Sequence, residues 1–263
     1  MIAYHGKQEV KDFYLARVRA HIAADELIHG KYWENGKGCA VGCTVHSSSH
    51  IAYEKELGIP RILAKLEDGI FESLSNGRSK IWPEQFLMAP NIGADLSLVW
   101  PKFAVWLLVD PKYGVIQFTK SKAGKKAIQD VADAYQLVAD GKAQGVNWNS
   151  LRSAAEAAAY ADAAEDAAAY AAEAADTADA AAAADAAAAY ADTAAEAAAA
   201  YADTADAAAY AAEAAAAYAA HAAYADAAAH AAYAAAYAAA DAKRQEFRNA
   251  QADKLIELMA AAK

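Results

Sequence analysis

The chain has 263 residues, with 24 Lys plus Arg against 34 Asp plus Glu and a formal net charge of −10. Residues 153–242 hold 60 Ala, 15 acids and 9 Tyr with no Lys, Arg, Gly or Pro; this tract carries −15 and the other 173 residues come to +5. That excludes one uniform globular domain, and the shortage of base argues against a nucleic-acid-binding surface.

Residues 1–152 carry all five Trp (Trp33, Trp82, Trp100, Trp106, Trp148) and are long enough for a domain with its own core. In chain order, Val10, Phe13, Tyr14, Arg17, Val18, His21 and Ile22 recur at helical spacing, which predicts a helix up to about Ile28. Gly30 stops it, and Asn35-Gly36-Lys37-Gly38 reads as a flexible, turn-prone loop. A second helix is expected from near Cys39 to Leu57, ending at Gly58 before Pro60. Ile62, Leu63, Leu66, Ile70, Phe71 and Leu74 mark a third. Trp82-Pro83 suits a helix start. Ala94 to Val109 reads as an apolar helix interrupted by Pro101, Gly114 to Thr119 as the one strand candidate, and Lys125 to Val138 as a further helix. The expected class is all-α.

The tract 153–242 contains no helix breaker, so helix is expected throughout. As one rod it would run about 135 Å, yet its tyrosines scatter around the axis of such a rod. Scatter predicts antiparallel hairpins instead, with breaks at Asp176-Thr177, Asp192-Thr193 or Asp203-Thr204, where both residue types suit a helix N-cap. Ala186 to Glu196 recurs eleven residues later as Ala197 to Ala207, a period that returns both copies to one face. After Asp241, Phe247, Leu255, Ile256, Leu258 and Met259 form an amphipathic helix. That stripe needs a larger core than alanines offer, so residues 243–263 are expected to dock back on the domain of 1–152.

Four residues carry the sharpest chemistry. Cys39, Cys43, His46 and His50 stand at i, i+4, i+7 and i+11, one face of a helix, and thiolate with imidazole suits zinc. All four cannot meet one ion on an unbroken helix, since the outer pair would lie about 16 Å apart; a bend, or ligands such as His21, His29, Glu34 or Glu54, would be required. Alternatively Cys39, after a Gly-rich loop at a helix start, is a nucleophile with His46 as base. The bland alternative makes Cys39, Val41, Cys43 and Val45 small core residues. Glu67 and Asp68 adjoin on a helix and point apart, which makes them poor acid–base partners. Thr193 and Thr204, eleven apart, raise ice binding, but Thr177 is off register.

The segment Tyr32-Trp33-Glu34, Lys37-Gly38-Cys39-Ala40-Val41-Gly42-Cys43-Thr44, His46, His50, Tyr53-Glu54 and Glu56-Leu57-Gly58-Ile59-Pro60 resembles uncharacterised bacterial and phage proteins. Those proteins join such an N-terminal domain to an Ala/Tyr/Asp tract of variable length. The tail is also similar in composition to immunity proteins. Neither resemblance implies a catalytic role.

The reading that follows is a non-enzymatic interaction module of immunity or anti-defence type. Its acidic helices would present Asp192, Glu196, Asp203, Asp206, Tyr190 and Tyr201 to a basic protein partner. The alternative is a small metal protein or cysteine-dependent enzyme with its site at Cys39, Cys43, His46 and His50, with zinc as the cofactor if there is one. No run crosses a bilayer: Phe103 to Val109 is far short of roughly 20 residues, and acids interrupt the Ala tract. Two cysteines make no disulfide framework, and the N-terminus lacks the build of a secretory signal, so a cytoplasmic protein is expected.

Overall fold

The computed structural model describes residues 1–119, 121–142, 144, 146–151, 153–155, 157–158 and 230–263. It is all-α apart from one two-stranded hairpin. The chain divides into two compact units, residues 1–103 with 226–263 and residues 104–225.

In the first unit, α1 runs Gln8–Ala23 and packs through Tyr14, Leu15 and Val18. It stops five residues before the expected Ile28 because Asp25 takes a left-handed conformation (φ 53°). The Glu26 amide then donates to the His21 carbonyl at 3.0 Å and the Asp25 amide to Ile22 at 3.2 Å, the paired closure of a Schellman turn. The stretch expected as a loose loop is a hairpin, with β1 (Trp33–Glu34) antiparallel to β2 (Lys37–Gly38). Asn35 (φ 52°) and Gly36 (φ 84°) supply the two positive φ values of a type I′ turn.

The expected long second helix is broken. Helix α2 covers Ala40–Val45 and ends at His46 in the left-handed region (φ 51°); a π-type turn follows only at Tyr53–Leu57, closed by Gly58 at φ 65°. The Ser47-Ser48-Ser49 run between them hydrogen-bonds locally, its Ser49 amide to Ser47 Oγ at 3.1 Å, the competition with helix that such residues offer. Helix α3 (Arg61–Ser73) starts at Pro60 and buries Leu63, Ala64, Leu66, Glu67, Ile70 and Phe71 at three- and four-residue spacing. A short α4 (Asn76–Ser79) leads to α5 (Trp82–Met88), with Pro83 in its first turn as its sequence predicts. Tyr4, Tyr53, Phe71, Trp82, Phe86 and Phe103 are the largest fully buried side chains, all essentially inaccessible.

Helix α6 spans Val99–Val109, starting later than the expected Ala94. Pro101 is its third residue, where no intrahelical N–H donor is needed, so it does not interrupt the helix. In the second unit, residues 114–119 make no strand but a 3₁₀ turn at Val115–Gln117. Helix α7 (Lys122–Ala139) begins at Ser121, whose hydroxyl accepts from the Gly124 amide at 2.8 Å. Leu108, Val115 and Ala132 form this unit's core with Ile128, Val131 and Tyr135.

Helix α8 is described over His230–Ala260, so the chain is already helical within the Ala tract, ahead of the expected 243. It returns to the N-terminal region as its apolar stripe requires, with Arg248, Gln251, Ala252, Leu255 and Met259 buried. Arg78 Nη1 donates to Asn249 Oδ1 at 2.9 Å, and the Ser75 amide to Gln245 Oε1 at 3.1 Å. The hairpins expected within 153–242 lie outside the described residues over 159–229. Among the described residues no helix is long and apolar enough to cross a membrane.

Candidate functional site

Two glycines set the site. A Cβ on Gly38 would meet the Tyr32 carbonyl oxygen at 2.0 Å, and one on Gly42 would meet the same oxygen at 1.4 Å. Their absence of side chains lets the segment at Tyr32 and Trp33 lie directly on the start of α2, where the Cys39 amide donates to the carbonyls of Lys31 (2.7 Å) and Tyr32 (3.2 Å). Cys39 is thereby buried at the α2 N-terminus, aimed at α3.

Across from it, Asp68 and Glu72 sit one turn apart on α3. The Cys39 sulfur and one oxygen from each carboxylate lie within 4.8 Å of one another, a group of three ligand-type side chains that could hold a metal ion. The Asp68 carboxylate acts on both the Cys39 thiol and the Tyr32 hydroxyl, adding to the upward push that burial gives each. His50 Nε2 lies 3.4 Å from Asp68 Oδ2, with both side chains about 85 % or more buried, yet His50 Nε2 and Asp68 Oδ1 have no hydrogen-bond partner. Glu72 is exposed at the edge of the site and accepts from the Gly30 amide at 2.8 Å. His29, edge-on to Phe71 at 4.7 Å, also acts on the Glu72 charge.

The electrostatics are those of crowded acids. Burial, then the Asp68 carboxylate, drive the Cys39 thiol far above its ordinary range, outweighing the backbone N–H groups of Gly42 and Val41. Glu72 is raised by burial, with Asp68 adding to it and the Gly30 amide and His29 opposing. The rise at Cys39 disfavours the thiolate which the nucleophile expected with His46 would need. A dication removes the conflict, since it stabilises thiolate and carboxylates together.

The four residues singled out from the sequence do not converge. Cys39 and His50 reach Asp68. Cys43 donates its thiol to the Gly38 and Glu26 carbonyls at 3.4 and 3.7 Å, and burial raises it to about 12. His46 turns to α1, its Nε2 2.9 Å from His21 Nε2. The break at His46 causes this split: the one-face relation of i, i+4, i+7 and i+11 needs a continuous helix. Asp68 and Glu72 are candidate donors that the Cys/His spacing does not reveal, although their i, i+4 spacing on a clear amphipathic helix is visible. Asp192, Glu196, Asp203, Asp206, Tyr190 and Tyr201 lie outside the described residues.

Comparison with known proteins gives no match to a family model, to a curated protein or to a solved structure.

Proposed function

We propose that the chain is a metal-dependent protein holding a zinc-type dication between Cys39, Asp68 and Glu72. The observation that carries this reading is the meeting of one thiol and two carboxylates within 4.8 Å, close to the roughly 3.3–3.8 Å donor separations that a tetrahedral zinc requires. Thiolate with carboxylate favours zinc over magnesium or calcium, which take oxygen alone. His50, its Nε2 3.4 Å from Asp68 Oδ2, is placed to give Asp68 the outer-shell support that fixes ligand orientation. Three protein donors with Glu72 at an exposed edge leave a coordination position for water, and the ion's chemistry there is Lewis-acid activation of that water for hydrolysis.

The test is cobalt(II) substitution in the full chain. One equivalent should produce a thiolate-to-metal charge-transfer band in the near ultraviolet. Cys39→Ser should abolish it, Cys43→Ser should leave it intact, and Asp68→Asn or Glu72→Gln should weaken zinc binding by at least about 100-fold, beyond the 10–100-fold usual for outer-shell losses. A band that follows Cys43, or no band at all, overturns the reading.

A second, compatible reading is supported by the sequence of 153–242 alone. The tract's charge of −15 suits a basic protein partner in the cytoplasm, in the manner of an immunity or anti-defence module. For a basic partner once identified, Asp192, Asp203 and Asp206 changed to Asn should weaken a salt-sensitive association; indifference to both salt and these changes would sink it.

A further inference from the structure

The Schellman turn that ends α1 folds Glu26 back beside His21, so that Glu26 Oε2 lies 2.6 Å from His21 Nδ1. The ring's other nitrogen, Nε2, faces His46 Nε2 at 2.9 Å. His46 is delivered there by its left-handed backbone at the end of α2, a conformation uncommon for a residue with a side chain. Trp33 of the hairpin stacks on His46 (4.3 Å, 12°) and stands edge-on to His21 (5.5 Å, 83°). Two imidazole nitrogens from different elements thus point at one place, each ring clamped, at a solvent-facing edge.

We propose that His21 and His46 form a second metal site, distinct from the Cys39 cluster, that takes an imidazole-preferring divalent transition ion, copper(II) foremost. With Glu26 accepting from Nδ1–H, His21 presents a bare Nε2, and in the ion-free pair His46 donates its Nε2–H to it. On binding, the His46 proton moves from Nε2 to Nδ1 and both lone pairs reach the ion, with no net proton release. Glu26 is the carboxylate that commonly stands behind a ligating histidine, fixing its tautomer and raising its basicity. The charges facing the site are Glu26 on one side and Arg17 on the other; Arg17 is engaged by the Thr44 carbonyl at 2.9 Å and by the Phe13 and Tyr14 rings. Burial, then Arg17 and His21, lower the His46 pKa. The cation of Arg17 also disfavours any ion whose affinity rests on charge alone, selecting those at the top of the nitrogen-affinity order. The site shares no ligand with the Cys39 cluster, and the two proposals stand or fall apart.

The experiment titrates copper(II) into the full chain carrying Cys39→Ser and Cys43→Ser, which removes the thiols that copper oxidises. One equivalent should bind with nitrogen hyperfine structure in its EPR spectrum and should quench Trp33 emission, the quenching being lost in Trp33→Phe. His21→Gln, and His46→Asn (a residue that accepts positive φ), should each weaken binding at least about 10-fold, and Glu26→Gln should do so less. Binding unchanged by His46→Asn overturns the proposal. If the serine variant does not fold, zinc stoichiometry on the parent chain decides: loss of one equivalent in His46→Asn with the cobalt–thiolate band retained supports the site, and no loss overturns it.

Discussion

Gly42 has no room for a methyl group. A Cβ would sit 1.4 Å from the Tyr32 carbonyl oxygen and 2.6 Å from its carbon, and this backbone cannot swing aside as a side chain would. Gly42→Ala should therefore exceed the usual overpacking cost of about 1–3 kcal/mol, read as a large fall in the thermal midpoint by circular dichroism. Gly69→Ala, in open space on α3, should instead stabilise by up to about 1 kcal/mol. Glu67 is a different residue-scale case. It is fully buried beside Tyr53, and burial raises its carboxyl pKa well above the ordinary value, Tyr53 partly opposing and Asp68 adding. The folded state therefore keeps a proton that the unfolded state releases above its ordinary carboxylate pKa. This contribution to stability is complete below that value and is lost as pH rises towards the folded pKa. Glu67→Gln should flatten that decline in urea midpoints measured from acid to neutral pH; an unchanged slope would show that Glu67 is not its source. Cys39 was legible as a residue of the candidate site because a cysteine after Gly38 is a local signal. Asp68 was not, because the adjacency that sends Glu67 and Asp68 to different faces of α3 argued against both, and only the tertiary approach of α2 to α3 brings Asp68 to the thiol.

Short elements decide how the site is assembled. The hairpin is four paired residues long, too little to survive alone, and it persists because Gly38 at its open end is tied to the segment after α1. The Ile28 amide donates to the Gly38 carbonyl at 2.9 Å, and the Gly38 amide to Glu26 at 3.1 Å. Its type I′ turn demands positive φ at Gly36, where a Cβ would meet nothing, so Gly36→Ala isolates backbone strain from packing. We expect a loss of about 1–2 kcal/mol, with Trp33 loosened from His46 and seen as a shift in its emission. Long amphipathic helices such as α3 and α7 were readable to within a few residues, since their burial repeats over several turns. The hairpin and the break at His46 were not, because Asn35-Gly36 lacks long alternating flanks and a histidine gives no warning that it will adopt left-handed backbone.

At the scale of the whole molecule, α8 closes the fold of the first unit. The apolar stripe on its final turns implied docking from sequence alone, whereas its extension back through the alanines at least to His230 carries no sequence mark, because alanine extends a helix without marking an end. Two kinds of contact hold it: the buried row of Ala252, Leu255 and Met259, and exposed polar links such as Arg78 to Asp253. Magnitudes separate them. An exposed ion pair contributes about 0–1 kcal/mol, whereas truncating a buried Leu or Met to Ala costs about 2–5 kcal/mol. Asp253→Ala should accordingly leave the unfolding midpoint almost unchanged, while Leu255→Ala and Met259→Ala should lower it by about 10 °C or more. If the helix is integral to the core, unfolding followed by near-ultraviolet signals, to which the fully buried Trp82 contributes, should shift together with loss of helical signal in the Met259→Ala chain. An early helical loss that leaves the tryptophan signal at its parent midpoint would mean that α8 is an appendage and that residues 1–103 hold their own core without it.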